Sequence, residues 1–276
     1  MIKLNVNHTF GQFLEFTMED KIILLKYQSN FADNISLLAY SNIIESKSEI
    51  KCCFENKTTD RNNFESKMRH FDLDYNYTST SKVEKMIENT LNINKLSIDR
   101  NKILNSKKIK KGIVNINHFQ LDDYNLLDTD FLKHVKFNNL DFIKSYDILE
   151  EISQHNSIGL YINEKDIKNN EIDIVYIKKA CKRLNKYLKK PILYIFSQEK
   201  INSLEGLDIN FKYINLRDWK EEFYFLKNCK HKIILNAQNS YSSAFWAAKL
   251  NEKEYNFNII PKSLKQKTNN LNWISI

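Results

Sequence analysis

Between an apolar run at residues 232–235 and the aromatic pair Phe245-Trp246, the chain places Asn236, Asn239, Ser240, Ser242 and Ser243. Amides and hydroxyls at the start of a helix suit a phosphate, because the first backbone N–H groups lack intrahelical partners and carry the positive end of the helix dipole. The same serines also suit a capping role, which Ser242 or Ser243 would fill. A second candidate is Asp166, which follows the apolar run 157–162 closely enough to lie at a sheet edge. A carboxylate there is either a loop or helix cap, or a general base within reach of an acceptor hydroxyl. Glu222 sits on a helical stretch, where a solvated carboxylate and a nucleotide contact are the competing roles. His118 and His231 have no third partner at metal-ligand spacing, which predicts no metal.

The elements that would position these residues alternate in type. Apolar residues at 140, 143, 148, 149 and 152 predict an amphipathic helix over 140–155. A strand at 157–162, a helix over 173–188 closed by Pro191, and a strand at 192–196 follow. A strand at 211–214, a helix over 219–228 and a strand at 232–235 complete the pattern. Strands separated by helices of this length imply crossover units in a parallel sheet, whose ligands bind beyond the carboxyl ends of the strands. The stretch before residue 140 has weaker periodicity, with a short apolar run at 22–25 and a strand expected at 113–116.

Composition removes several classes. Only four glycines occur in 276 residues, too few and too scattered for a P-loop or a dinucleotide-binding fingerprint. Four cysteines without a C-x-x-C pair predict free thiols and a reducing compartment. A net charge of +8 suits an anionic partner: nucleic acid, a nucleotide diphosphate or the anionic face of a membrane. The arginines are confined to Arg61, Arg69, Arg100, Arg183 and Arg217, which argues against a dedicated nucleic-acid reader. Neither a leader nor an apolar stretch of spanning length is apparent, which predicts a cytoplasmic chain with peripheral membrane association at most.

The stretch CKHKIILNAQNSYSSAFWAAKLN, with a later Pro261-Lys262, resembles the last motif of the bacterial α-1,2-fucosyltransferases, where Cys-Lys-His leads to Asn-Ser-Ser-Phe-Ser-Trp-Trp. Glu221-Glu222-Phe223-Tyr224 is similar to the Glu-Asp-Leu-Tyr that precedes the family's Cys-Lys-His. Asn117-His118-Phe119-Gln120 with Tyr124 resembles Gly-Tyr-Trp-Gln with a later Tyr. Tyr194-Ile195-Phe196-Ser197 resembles the start of Phe-Ile-Phe-Ser-Asp-Asp, with Gln198 and Glu199 replacing the aspartates. Phe10-Gly11-Gln12-Phe13 resembles Leu-Gly-Asn-Gln-Leu shortened by its asparagine.

The family's His-x-Arg-Arg-Gly-Asp-Tyr falls on residues 161–167, where Asp166 alone is kept and Asn163 replaces the arginine associated with the donor diphosphate. Within the closing motif, Asn236 matches when counted forward from Cys229. Counting back from Trp246 selects Asn239-Ser240 or Ser242-Ser243 instead.

The resemblance implies two Rossmann-like α/β domains facing a cleft, as in GT-B enzymes, with residues 1–150 on the acceptor side and 151–276 binding the nucleotide sugar. It implies inverting transfer of fucose, or another sugar, from GDP-fucose or another nucleotide sugar to a saccharide or lipid-linked glycan, without a cofactor or metal. Asp166 and Asn163 stand at the catalytic positions, and Gly11, Gln12, Glu222, His231, Asn236, Asn239, Ser240, Ser242, Ser243 and Trp246 at the binding positions. Loss of one preorganised donor at developing charge costs roughly 10²–10³ in rate. The alternative is therefore a catalytically inactive relative that serves as a saccharide-binding or partner subunit.

Overall fold

The computed structural model describes the chain at residues 21–25, 31–47, 50–56, 68, 70–71, 77–79, 131, 135–251, 256–268 and 273–276. The chain divides into two compact units, Met1–Asn138 and Asn139–Ile276. The boundary falls ahead of residue 150, so the helix that precedes the first strand of the second unit belongs to that unit. Gly11, Gln12, the segment 117–124 and the strand expected at 113–116 lie outside the described residues.

In the first unit, β1 (Lys21–Leu25), β2 (Ile50–Asn56) and β3 (Tyr77–Ser79) form a parallel sheet in the order β1-β2-β3. Helix α1 (Phe31–Lys47) joins β1 to β2 and is buried on more than one side: Ala32, Ile35, Ala39 and Ile43 are joined by Leu37 and Leu38 and by the polar Asn34 and Ser36. Phe31 stacks on Phe71 with ring centroids 5.0 Å apart.

The second unit contains α2 (Tyr146–Gln154), β4 (Asn156–Tyr161), α3 (Glu164–Lys168), α4 (Ile174–Tyr187), β5 (Pro191–Phe196), β6 (Asn210–Ile214), α5 (Trp219–Asn228), β7 (His231–Ile233), α6 (Gln238–Lys249), β8 (Asn258–Ile260) and β9 (Ile274–Ser275). Its strands run in the order β6-β5-β4-β7-β8-β9, every pair parallel. The alternation read from the sequence thus becomes a doubly wound sheet whose chain starts in the middle, moves outward through β5 and β6, then crosses back to β7 on the other side of β4.

Side-chain alternation along β4 assigns the two faces. Ile158 and Leu160 are fully buried and join Tyr176, Ile177, Ala180 and Leu184 of α4 in one apolar cluster. Gly159 points the other way, where a Cβ would come within 2.8 Å of Leu226 Cδ1 and 3.2 Å of Cys229 Sγ. A side chain there would displace Leu226 and Cys229, so the glycine lets α5 and the turn after it pack closely on the strand.

The helix ends follow local chemistry. Asp173 starts α4 by accepting from Tyr176 N–H at 2.8 Å, and Asp218 starts α5 by accepting from Lys220 N–H at 2.9 Å. At the other end of α5, the fully buried Lys232 donates Nζ to the carbonyls of Lys227 (3.0 Å) and Cys229 (2.6 Å). Orphan carbonyls at a helix C-terminus are a favourable place for a buried ammonium. Tyr176 spans from α4 to the far strands, donating its hydroxyl between Ile234 O at 3.0 Å and Ile259 O at 2.9 Å. Cys52, Cys181 and Cys229 are buried free thiols.

Candidate functional site

The strand order reverses direction between β4 and β7, and in an open parallel sheet the crevice at such a reversal, beyond the carboxyl ends of the two strands, is where ligands bind. Two segments emerge there. The one after β4 passes through buried Ile162 into Asn163 and α3; the one after β7 passes through Ile234 and Leu235 to exposed Asn236 and then α6.

These segments are tied together by a buried carboxylate. Asp166 is fully buried, and its Oδ2 accepts from the backbone N–H of Ser240 at 2.6 Å and from the Ser240 hydroxyl at 2.5 Å. Ser240 Oγ in turn accepts from the backbone N–H of Asn163 at 2.8 Å. The N-cap residue of α6 is Ala237, which has no side chain to offer the first turn. Asp166 therefore supplies, from across the reversal, the negative charge that a helix N-terminus favours. Ser242 and Ser243, expected as caps, lie inside α6 because the cap arrives from another element.

Asn163 is occupied locally. Its Oδ1 accepts from Lys165 N–H at 3.0 Å and caps α3, while its Nδ2 lies 3.5 Å from the hydroxyl of Tyr161. That hydroxyl also bonds Ser243 on α6, and burial, followed by the charge of Glu222, pushes it up to about 12. Glu222 projects from α5 and is half-buried; loss of hydration raises its carboxyl from 4.5 to about 7. At the carboxyl edge of β4, the structure thus gathers Tyr161, Asn163, Asp166, Ser240 and Ser243, with Glu222 close enough to act on Tyr161.

Other expected residues lie elsewhere. His231 pairs with Ile158, near the amino end of β4, and its Nδ1 accepts from Phe257 N–H at 3.0 Å while its ring stacks on Phe257. It anchors the start of β8 and is directed away from the crevice. Trp246 is fully buried, edge-on to Phe245, so its ring is core with no surface to offer a nucleotide. Asn236 is exposed at the carboxyl edge, with Nδ2 3.4 Å from Ser263 Oγ. Asn239 and Ser242 belong to α6, Asn239 in its first turn beside the crevice. Among the described residues no cluster of three His, Cys, Asp or Glu side chains is placed to hold a metal.

Two participants were not singled out in the sequence. Tyr161 ends β4 two residues before Asn163, the alternation that brings both to one side of a strand end. Glu221, next to Glu222, is the more buried of the pair and accepts from the N–H groups of Lys144 (2.8 Å) and Ser145 (2.7 Å). A separate groove of about 740 Å³, lined by His155, Lys190, Asp208 and Asn210, lies at the amino ends of β5 and β6, away from the reversal.

No protein-family model matches the chain, and no curated protein matches it. Solved structures do. The fucosyltransferase NodZ from Bradyrhizobium matches with a TM-score of 0.51 at 9% identity, covering 84% of this chain and 94% of that one. A NodZ alpha-1,6-fucosyltransferase soaked with GDP-fucose gives 0.47 at 11% identity, over 83% and 92% of the two chains. The E. coli ADP-heptose lps heptosyltransferase II gives 0.46 at 11% identity, over 92% and 89%. The chain has the α/β, parallel-sheet architecture of the GT-B type.

Proposed function

We propose that the protein is a glycosyltransferase that holds a nucleotide-sugar donor at the carboxyl edge of the second unit's sheet and passes the sugar, fucose or another, to a saccharide or lipid-linked glycan. The observation that carries this reading is the strand reversal at β4 and β7, where the Asn163–Asp166 turn and the first turn of α6 meet in a fold shared with a fucosyltransferase. With the Ser240 N–H taken by Asp166, the N–H groups of Gln238 and Asn239 at the start of α6 are the ones such a crevice has for a diphosphate.

In this reading the residues divide the work. Asp166 is a positioning residue: a buried carboxylate engaged twice by Ser240 is not available to take a proton from an acceptor, but it fixes the start of α6. Tyr161, Ser243 and Asn236 supply hydroxyl and amide contacts. Glu222, neutral or charged around pH 7, is suited to a hydrogen bond with the ring edge of a base. The leaving diphosphate needs positive charge, for which Lys165 in α3 and Arg217, after the carboxyl end of β6, are the candidates, while Lys230 lies at the amino end of β7.

A second reading, a GT-B relative that has lost its chemistry and binds saccharide or a partner, is favoured by one observation. Both polar residues at the former catalytic positions, Asn163 and Asp166, already serve as caps. Calorimetry and thermal shifts with GDP, GDP-fucose, UDP-sugars and CMP-sugars test the choice. A ligand at 100 times its dissociation constant stabilises the fold by about 2.7 kcal/mol. Selective binding of one nucleotide is the expected result; a folded protein indifferent to the whole panel would overturn the transferase reading.

A further inference from the structure

Helix α4 has two faces of opposite character. Tyr176, Ile177, Ala180, Cys181 and Leu184 are buried in the apolar cluster of the sheet. On the other side, Val175, Lys178, Lys179, Lys182, Arg183 and Lys186 are linked by spacings of three and four into one outward face. All six are exposed. Lys189 and Lys190 extend the face past the helix end, and no Asp or Glu occurs between Asp173 and Lys190. None of these seven cations takes part in an ion pair among the described residues. Acidic residues stand at the two ends of the face: Asp173, the N-cap, and Asp208, whose main-chain carbonyl accepts from Asn185 Nδ2 at 2.8 Å.

Unpaired charge of one sign on the outer face of a packed helix serves nothing in folding, since like charges three and four residues apart repel. We propose that this face docks the protein peripherally onto a bilayer carrying anionic lipid. Charge complementarity names the partner class, and the details favour a bilayer over a polynucleotide. The face is built on lysines with one arginine, compact charges suited to a diffuse headgroup layer; nucleic-acid readers draw on arginine forks and a groove that tracks the strand. The surface is the convex back of a helix. Val175 and Tyr187, each 62% exposed, give the same helix two side chains to bury at the headgroup boundary, and Lys186 lies 5.7 Å over the Tyr187 ring. This inference stands independently of the glycosyltransferase reading.

The test is sedimentation of the full chain with vesicles of phosphatidylcholine alone or mixed with phosphatidylglycerol. Binding is expected only to the mixed vesicles, weakening as salt rises. The variant Lys178→Gln/Lys179→Gln/Lys182→Gln/Lys186→Gln should lose roughly 100- to 1,000-fold in partitioning, the sum of four surface-cation contributions. An equal number of neutralised lysines elsewhere, Lys144→Gln/Lys200→Gln/Lys262→Gln/Lys265→Gln, should lose far less. Every substituted lysine is exposed, so circular dichroism should find both variants folded. Equal losses in the two variants, no binding to mixed vesicles, or transfer of the protein from vesicles to added RNA would each overturn the assignment.

Discussion

Asp166 and Ser240, 74 residues apart in the chain, share two hydrogen bonds, of 2.6 and 2.5 Å, that join the turn after β4 to the first turn of α6. The bond closes the middle of the sheet at its carboxyl edge and places a fixed negative charge at the start of a helix whose own N-cap is an alanine. A carboxylate buried this fully is tolerated only because donors surround it.

Asp166→Ala should destabilise the fold by about 1.5–3 kcal/mol, the range for hydrogen bonds to a charged group. Ser240→Ala should cost less, since the backbone N–H remains. In urea denaturation, a double-mutant cycle between the two positions should show coupling of about 0.5–3 kcal/mol. Strict additivity would mean the contact contributes nothing.

Glu222 gives the protein a pH signature. Its carboxyl titrates near 7 when folded against 4.5 as a free side chain, so between those values the native state holds a proton that the unfolded state has released. Stability from this group is full below pH 4.5, falls as pH rises toward 7, and is level above. Glu222→Gln should therefore gain on the parent protein across that window in urea midpoints measured from pH 5 to 8. A difference that stays constant with pH would show that the carboxyl ionises normally.

Gly159→Ala is expected to destabilise by about 1–3 kcal/mol, because the added methyl meets the buried side chains of Leu226 and Cys229, which must shift in a packed core. Thermal unfolding reads this directly. A neutral substitution would mean that the Leu226 side chain repacks around the methyl without cost.

Asn163→Arg asks whether donor binding is limited by one missing cation. A guanidinium offers a planar, permanently charged fork to a diphosphate, and GDP affinity should rise at least tenfold. The same change removes the cap of α3 at a cost of about 1 kcal/mol. Calorimetry would show the gain and urea denaturation the cost; tighter folding without tighter binding would contradict both.

The second unit was legible because its signals are local. Helix α5 spans Trp219–Asn228 as its pattern predicts, opened by Asp218 within the same few residues. Prolines, aspartate caps and apolar runs set the other boundaries to within a few positions, the helix over 140–155 excepted, which starts later, at Tyr146. The site was legible only in part. Asp166 and Ser240 were both recognised as candidates, but nothing in the sequence records that they meet, since the contact is made by strand order and not by spacing. Of two adjacent carboxylates the resemblance marks Glu222, whereas the spacing to buried Phe225 four residues on marks Glu221 as the one on the inward face. His231 and Trp246 lie away from the crevice for a related reason: a motif says which residues travel together, not which end of a strand or side of a helix they occupy.

Glu221 also decides where the chain can be cut. Its carboxylate is satisfied by the N–H groups of Lys144 and Ser145, in the turn that leads into α2. A fragment begun at residue 150 would leave a buried carboxylate with both donors gone and would strip the first turn of α2. One begun at Asn139 keeps the clasp intact. The six residues ahead of that helix, which the sequence pattern reads as its first turns, are the fastening of the second unit.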